Sequence, residues 1–165
     1  MQPADSGTTR ALPRWLGVTV VVLLVARVAT GLHEKDNPSI PRSLVAWVAL
    51  EQAEAQSRER GLPILYEFSA DWCAPCKILD REVLNDDQAA REINARFIPV
   101  RVTDRMEEDG ENRPEVRALL EKYKVLGFPQ LVLVPPNGAK ERELRGYDGY
   151  TGTLTFLGIP TPSAI

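Results

Sequence analysis

The chain has 165 residues, which is enough for one domain of ordinary size and one additional segment. Its hydrophobic content of 44% and charged content of 26% are those of a globular protein and exclude disorder throughout. The net charge is −3 and no basic patch is interleaved with aromatic residues, which excludes nucleic-acid binding as the main function.

The N-terminal region, residues 1–32, has the pattern of a membrane or export segment. Arg10 and Arg14 precede an apolar run over residues 15–32 that contains one charge, Arg27. Such a run is near the lower limit for a helix that crosses roughly 30 Å of hydrocarbon, and it also matches a secretory signal. We therefore expect one N-terminal hydrophobic helix that anchors the protein in the membrane, with a cleaved signal or a buried soluble helix as alternatives.

The basic flank of this segment marks the cytoplasmic side of the membrane, so the rest of the chain is expected outside the cytoplasm. The predicted location is the periplasmic side of the inner membrane, or the periplasm itself if the segment is cleaved. Residues 33–42 are polar, contain two prolines and the only histidine, His33, and are predicted to form a tether. Residues 43–158 are predicted to form the folded domain, and residues 159–165 a disordered tail.

The predicted domain alternates helical and strand-like segments. Helices are predicted over residues 43–60, 77–84, 87–96, 114–124 and 150–158. Strands are predicted over residues 64–68, 97–103, 130–134 and 140–145, the last two joined as a hairpin. The charged segment 104–113 is interpreted as a solvated loop in preference to a docking site. This order predicts an α/β fold in which helices cover both faces of a mixed sheet.

The only two cysteines lie in the sequence Trp72-Cys73-Ala74-Pro75-Cys76, which follows a predicted strand and opens a predicted helix. A thiolate at a helix N-terminus is stabilised by the helix dipole and by unpaired N–H groups. The second cysteine, one turn later, can attack a mixed disulfide and release the substrate. Pro75 has no N–H to lose at this position and stiffens the turn. The pattern predicts thiol–disulfide exchange.

Other uses of the cysteine pair are less well supported. A structural zinc site needs four ligands, whereas the chain offers two cysteines and the distant His33. Cu(I) can use two thiolates, and a static disulfide is also possible, although closing so short a loop stabilises a protein little. We expect no metal or other cofactor. Neither Ala74 nor Pro75 is a histidine, which favours a reducing couple.

Two stretches resemble a known family. Residues 65–77, Leu-Tyr-Glu-Phe-Ser-Ala-Asp-Trp-Cys-Ala-Pro-Cys-Lys, resemble the thioredoxin signature, and residues 123–129, Tyr-Lys-Val-Leu-Gly-Phe-Pro, are similar to the segment before that fold's cis-proline. With the order of elements, the resemblance covers roughly residues 43–157. It is strongest to the C-terminal periplasmic domain of the DsbD-type thiol:disulfide interchange reductases. Those domains are fused to a multi-span membrane portion, so this chain would need a separate membrane thiol electron donor.

The resemblance implies a role for each matching residue. Cys73 would be the exposed nucleophile and Cys76 the resolving thiol. Trp72 would flank and shield the site, a role compatible with simple packing. Pro129 would be the cis-proline that faces the dithiol and presents the backbone of Phe128 to a substrate, unless it is an ordinary trans loop proline. Pro75 belongs to the same substrate-facing surface.

Glu67 stands six residues before Cys73, where the family usually has a buried aspartate. A carboxyl group in an apolar strand should have a raised pKa and could accept the proton of Cys76 during exchange. The alternative is a solvated glutamate at the rim of the site.

The sequence therefore predicts an exported, membrane-tethered oxidoreductase that reduces disulfides in periplasmic partner proteins. The same dithiol could instead serve a disulfide oxidase or isomerase. A third alternative is a binding module that handles Cu(I) or acts as an adaptor.

Overall fold

The computed structural model describes residues 43–161, together with the single position Leu23. Apart from that position, the predicted anchor over 15–32 lies outside the described residues, as do the tether over 33–42 and the end of the tail, 162–165. Within the described part of the chain, no helix combines the length and the apolar composition needed to cross a membrane.

Four strands form one mixed sheet in the order β2-β1-β3-β4. The central strand β1 (Ile64–Ala70) pairs in parallel with β2 (Ile98–Asp104) and antiparallel with β3 (Gln130–Val134). The edge strand β4 (Arg142–Arg145) pairs antiparallel with β3, as the predicted hairpin requires. A parallel neighbour needs a helical crossover, which explains why helices stand between β1 and β2.

Six α-helices surround this sheet among the described residues. They are α1 (Leu50–Arg60), α2 (Ala74–Leu79), α3 (Asp87–Arg96), α4 (Met106–Asp109), α5 (Pro114–Lys122) and α6 (Gly149–Leu157). Helix α2 continues directly into a π-helical turn, Asp80–Leu84.

The core lies on both faces of the sheet because successive side chains of a strand point to opposite sides. On one face, Leu65 belongs to an apolar cluster with residues of α2, the π-helical turn, α3 and α6. On the other face, Tyr66 and Phe68 pack with residues of β2 and α5, and Ala53 of α1 joins the same cluster. The period of two places Glu67 on the Leu65 side, the face that is covered by α2, the helix that carries Cys76.

The first helix begins at Leu50, so the prediction of a helix from Ser43 was wrong for residues 43–49. In this segment, backbone N–H groups that a helix would use internally instead donate to distant parts of the domain. The amide of Ala46 donates to Asn94 Oδ1 at 2.8 Å, and the amide of Val48 donates to the carbonyl oxygen of Pro99 at 2.8 Å. Residues 43–49 are therefore irregular, and Val48 bonds to the free edge of β2.

Other boundaries also differ from the prediction, most by one or two residues. Helix α2 begins at Ala74, inside the dithiol motif. The segment predicted as a solvated loop contains the short helix α4, and Asn112 within it is buried. The amide oxygen of Asn112 accepts from the Arg105 amide at 2.7 Å, and its amide nitrogen donates to Asp104, so side-chain hydrogen bonds order a segment that lacks an apolar pattern.

The start of the predicted tail belongs to the core, since Ile159 is buried. Gly158 ends helix α6 with φ 65°, a left-handed conformation that glycine adopts without steric cost. The chain then turns back, and the amide of Ile159 donates to the carbonyl oxygen of Leu154 at 2.9 Å. This helix-ending motif commonly carries an apolar contact just beyond the glycine, which is the contact that Ile159 makes.

Candidate functional site

The two cysteines lie at the end of β1 and the start of α2. They form a disulfide, with their sulfur atoms 2.05 Å apart and their Cα atoms 5.3 Å apart. Cys73 is the N-cap of α2, and the amide of Cys76 donates a hydrogen bond to the Cys73 sulfur at 3.1 Å. This amide points at the atom that would carry negative charge after reduction, so the local fold can stabilise a Cys73 thiolate.

Strand pairing brings the Phe128-Pro129 segment to the same end of the sheet. Gln130, the first residue of β3, pairs with Phe68 near the end of β1, so the residues before β3 lie near those after β1. The Phe128-Pro129 peptide bond is cis. The rings of Trp72 and Phe128 meet edge to face, with their centroids 5.9 Å apart. Phe128 packs against the two cysteines and Trp72 packs against Phe128, while Pro75 is exposed in the first turn of α2.

Cys73 is buried in the disulfide form, which corrects the expectation of an exposed nucleophile. Only 1% of its surface is accessible, and Cys76 is also buried. The two cysteines and Ala70 form a small apolar cluster, and Phe128 packs against it. Trp72, in contrast, is half exposed. A partner must therefore displace part of this cover before it reaches the sulfur atoms.

Glu67 is buried, 1% exposed, which excludes the rim-facing alternative. Its Oε2 accepts a hydrogen bond from Arg101 Nε at 2.7 Å and a longer one from the Ser69 hydroxyl at 3.3 Å. The second nitrogen of the same guanidinium donates to Asp80 Oδ1. Burial raises the pKa of Glu67 above its ordinary value, as predicted, and the charge and hydrogen bond of Arg101 limit the rise.

This cluster is connected to the dithiol through the backbone. Asp80 follows Cys76 by one helical turn, and its amide donates to the carbonyl oxygen of Cys76. Glu67 stands on the strand that leads into Cys73. Arg101 and Asp80 thus link the Glu67 carboxyl group to the helical segment that carries Cys76.

Sequence reasoning missed Arg101 and Asp80. The signal for Arg101 was present, since it is a single charge among the apolar residues of the predicted strand over 97–103. Glu67 and Arg101 are direct register partners on parallel strands, so the pairing follows once the register is known. Asp80 gave no comparable signal. It contacts Arg101 from a π-helical turn, and the spacing of apolar residues does not predict such a turn. Among the described residues, no group of three or more His, Cys, Asp or Glu side chains could hold a metal ion.

Replacement of Phe128 by alanine should uncover the disulfide. We expect dithiothreitol to reduce the Cys73–Cys76 disulfide several-fold faster in Phe128→Ala, because thiol exchange depends on access to the sulfur that is attacked. The rate is measured by quenching with a thiol-specific reagent and mass spectrometry. Leu126→Ala is the matched control, since Leu126 is on the same loop but 90% exposed. Equal rates in the two variants would contradict the covering role of Phe128.

Glu67 should make stability depend on pH. Because its folded-state pKa is raised, the native protein keeps a proton that the unfolded chain releases above its ordinary pKa of about 4.5. The free energy of unfolding should therefore fall as pH rises from about 4.5 through the folded-state pKa, and Glu67→Gln should lack this loss.

Urea unfolding of the oxidised protein at several pH values measures this difference. The stability of Glu67→Gln relative to the natural protein should rise with pH across that window. Glu54→Gln is the control, because Glu54 is exposed and paired with Arg58 on α1. Parallel stability curves for Glu67→Gln and the natural protein would show that the pKa of Glu67 does not change on folding.

Comparison with known proteins agrees with this geometry. Residues 50–151 match the family described as a thioredoxin-like domain. The thiol:disulfide interchange protein DsbD 1 of Pseudomonas aeruginosa is 32% identical over 145 residues, which are 83% of this chain and 23% of that protein. The chain thus spans about a quarter of the length of this curated relative, and 15% of DsbD from Pseudomonas fluorescens.

Solved structures show the same fold. The oxidised C-terminal domain of Neisseria meningitidis DsbD has a TM-score of 0.50 and 25% identity, covering 64% of this chain and 86% of that one. A thioredoxin from Thermus thermophilus has a TM-score of 0.55 and 24% identity, covering 69% and 85%. The fold is the predicted thioredoxin-like α/β fold with a mixed four-stranded sheet, and the cysteine pair fits the redox dithiol of a thiol:disulfide oxidoreductase. The chain belongs to the thioredoxin-like domain family.

Proposed function

We propose that this protein is a thiol:disulfide reductase that acts outside the cytoplasm on disulfide-bearing partner proteins. The observation that carries the proposal is the hydrogen bond from the Cys76 amide to the Cys73 sulfur at the start of α2. It marks Cys73 as the sulfur whose negative charge the fold can stabilise. The relationship to thiol:disulfide interchange proteins named DsbD supports the same chemistry.

The proposed reaction moves two electrons to the substrate. The Cys73 thiolate attacks one sulfur of the substrate disulfide; that bond breaks, a mixed disulfide forms and the other substrate sulfur leaves as a thiolate. Cys76 then gives its proton to Glu67 and attacks the Cys73 sulfur. The mixed disulfide breaks, the second substrate thiol is released, and the Cys73–Cys76 disulfide seen in the structure remains.

In this proposal, the residues near the disulfide make the contacts with the substrate. Trp72 and Phe128 offer an aromatic surface, Pro75 lies between the two cysteines in the chain, and Pro129 follows Phe128 through the cis peptide bond. A partner strand that pairs with the Phe128 backbone would bring its disulfide to Cys73. Shifting Phe128 in this way would also uncover the buried nucleophile.

The direction of electron flow is proposed from the surroundings of Cys73. Among residues 43–161, the hydrogen bond to its sulfur comes from one backbone amide, and the intervening residues are Ala74 and Pro75. The Cys73 thiolate is therefore stabilised less than the thiolate of a strongly oxidising dithiol. The reduced form then gives up its electrons more readily. The protein would then be reduced again by a separate membrane thiol donor, near which residues 15–32 would hold it.

The reduction potential tests this direction. Equilibration with glutathione buffers, followed by thiol alkylation and mass spectrometry, should give a value near the about −270 mV of thioredoxin. Cys76→Ser, which cannot form the internal disulfide, is the control that should show no such transition. A value nearer about −120 mV would support the oxidase or isomerase alternative in place of the reductase.

Partner trapping tests the protein-reductase role itself. Cys76→Ser should accumulate covalent complexes with partner proteins in membranes, because the mixed disulfide on Cys73 can no longer be resolved. Cys73→Ser should trap far fewer, and mass spectrometry of the complexes identifies both substrates and donor. Tight Cu(I) binding without any trapped protein would favour the binding module instead.

A further inference from the structure

Trp47 lies over the guanidinium that partners the buried carboxylate. The centre of its ring is 4.4 Å from Arg101 Cζ, the geometry of a cation–π contact. The indole N–H donates to Ser43 Oγ at 2.8 Å, which fixes the orientation of the ring. Neither the dithiol motif nor the family resemblance pointed to this residue.

The segment that carries Trp47 is held in place on the folded domain. Asn94 Nδ2 donates to the carbonyl oxygen of Leu44 at 2.9 Å, and its Oδ1 accepts from the Ala46 amide at 2.8 Å. The Val48 amide donates to the carbonyl oxygen of Pro99, two residues before Arg101 on β2. Because hydrogen bonds flank it on both sides, Trp47 presents its ring to Arg101 from a fixed backbone.

Arg101 joins two carboxylates that would otherwise be separate. It donates from Nε to Glu67 and from a terminal nitrogen to Asp80, so one rotamer must satisfy both. Its side chain is 30% exposed, so water competes for the guanidinium wherever the protein does not cover it. The Trp47 ring contacts the guanidinium at cation–π distance and opposes its movement into solvent.

We propose that Trp47 is a positioning residue of the dithiol site, which holds Arg101 in the orientation that joins Glu67 to Asp80 and so sets when Glu67 can take the proton of Cys76. This inference rests on the proposed role of Glu67 in resolving the mixed disulfide. Trp47 touches neither the cysteines nor Glu67 in the contacts described, and acts through Arg101.

The polar and charged groups around Glu67 are few and come from defined elements. Arg101 approaches from β2, Asp80 from the π-helical turn and Ser69 from β1 itself. From β3 the register partner is the apolar Leu131. Among these groups Arg101 is the cation, so its position strongly affects the charged form of Glu67.

The test is the pH dependence of the resolving step. Reduced full-length protein is mixed with Ellman's reagent, which gives one thionitrobenzoate when Cys73 attacks and a second when Cys76 resolves the adduct. Trp47→Leu removes the aromatic face but keeps an apolar side chain. The acid limb of the second phase should move to higher pH by about half a unit, because a cation–π contact of ordinary strength is worth about that much. Trp47→Phe should restore most of the natural profile.

Three further variants separate positioning from a general loss of structure. Phe156→Leu removes a similar contact, with the ring 5.1 Å from Arg142 Cζ on a different part of the domain, and should leave the acid limb unchanged. Asn94→Ala loosens the segment without touching Trp47 and should shift the limb in the same direction as Trp47→Leu. It also replaces Trp47→Leu as the test if that variant does not fold. In a Glu67→Gln background, Trp47→Leu should give no further shift.

The proposal is overturned if the natural and Trp47→Leu profiles coincide, if Phe156→Leu shifts the limb equally, or if the shift persists without Glu67. Failure of the proposed function has a different signature. In that case the reduction potential lies near about −120 mV, or Cys76→Ser traps no partner protein, whatever residue stands at position 47.

Discussion

The buried carboxyl group of Glu67 is the constraint on which the arrangement of β1, β2 and the start of the π-helical turn depends. An ionised carboxylate enclosed by apolar side chains is stable only when a cation and hydrogen bonds accompany it. Arg101, its register partner on the parallel strand, supplies both. A guanidinium has several donors in a fixed plane, so it also engages Asp80 at the point where α2 becomes a π-helical turn. One network thereby fixes β1, β2 and the cysteine-bearing helix relative to one another.

Helices α3 and α5 could be predicted from the sequence because their apolar residues recur at helical spacing, and β1 and β3 because each is a short apolar run. The segment 43–49 could not, since Leu44, Trp47 and Val48 have helical spacing but Asn85 and Asn94 bind the backbone in an irregular form. These asparagines are about 40 to 50 residues away in sequence. Tertiary hydrogen bonds of this kind override the local helix propensity. They produce no periodic pattern in the sequence from which they could be predicted.

The candidate site also has features that could be predicted from the sequence and features that could not. The spacing of Cys73 and Cys76 predicts the dithiol, and the apolar strand around Glu67 predicts its burial and the direction of its pKa shift. The burial of Cys73 was missed because a helix N-terminus indicates how a thiolate is stabilised and says nothing of what covers it. That cover comes from Phe128, 55 positions further along the sequence, through the pairing of β1 with β3.

For the proposed reductase, the cover over the disulfide and the substrate surface consist of the same side chains. Phe128 packs on the cluster of Ala70 and the two cysteines, and Trp72 packs on Phe128, so both rings shield the oxidised dithiol from small thiols. A partner protein that places a strand against Phe128 replaces one apolar contact with another. Moving Phe128 off the disulfide then costs little free energy of binding. Access would then depend on shape and apolar complementarity rather than on thiol reactivity alone. Such selection suits a dithiol that works outside the cytoplasm. Exchange with other disulfides there would oxidise the dithiol without reducing its partner protein.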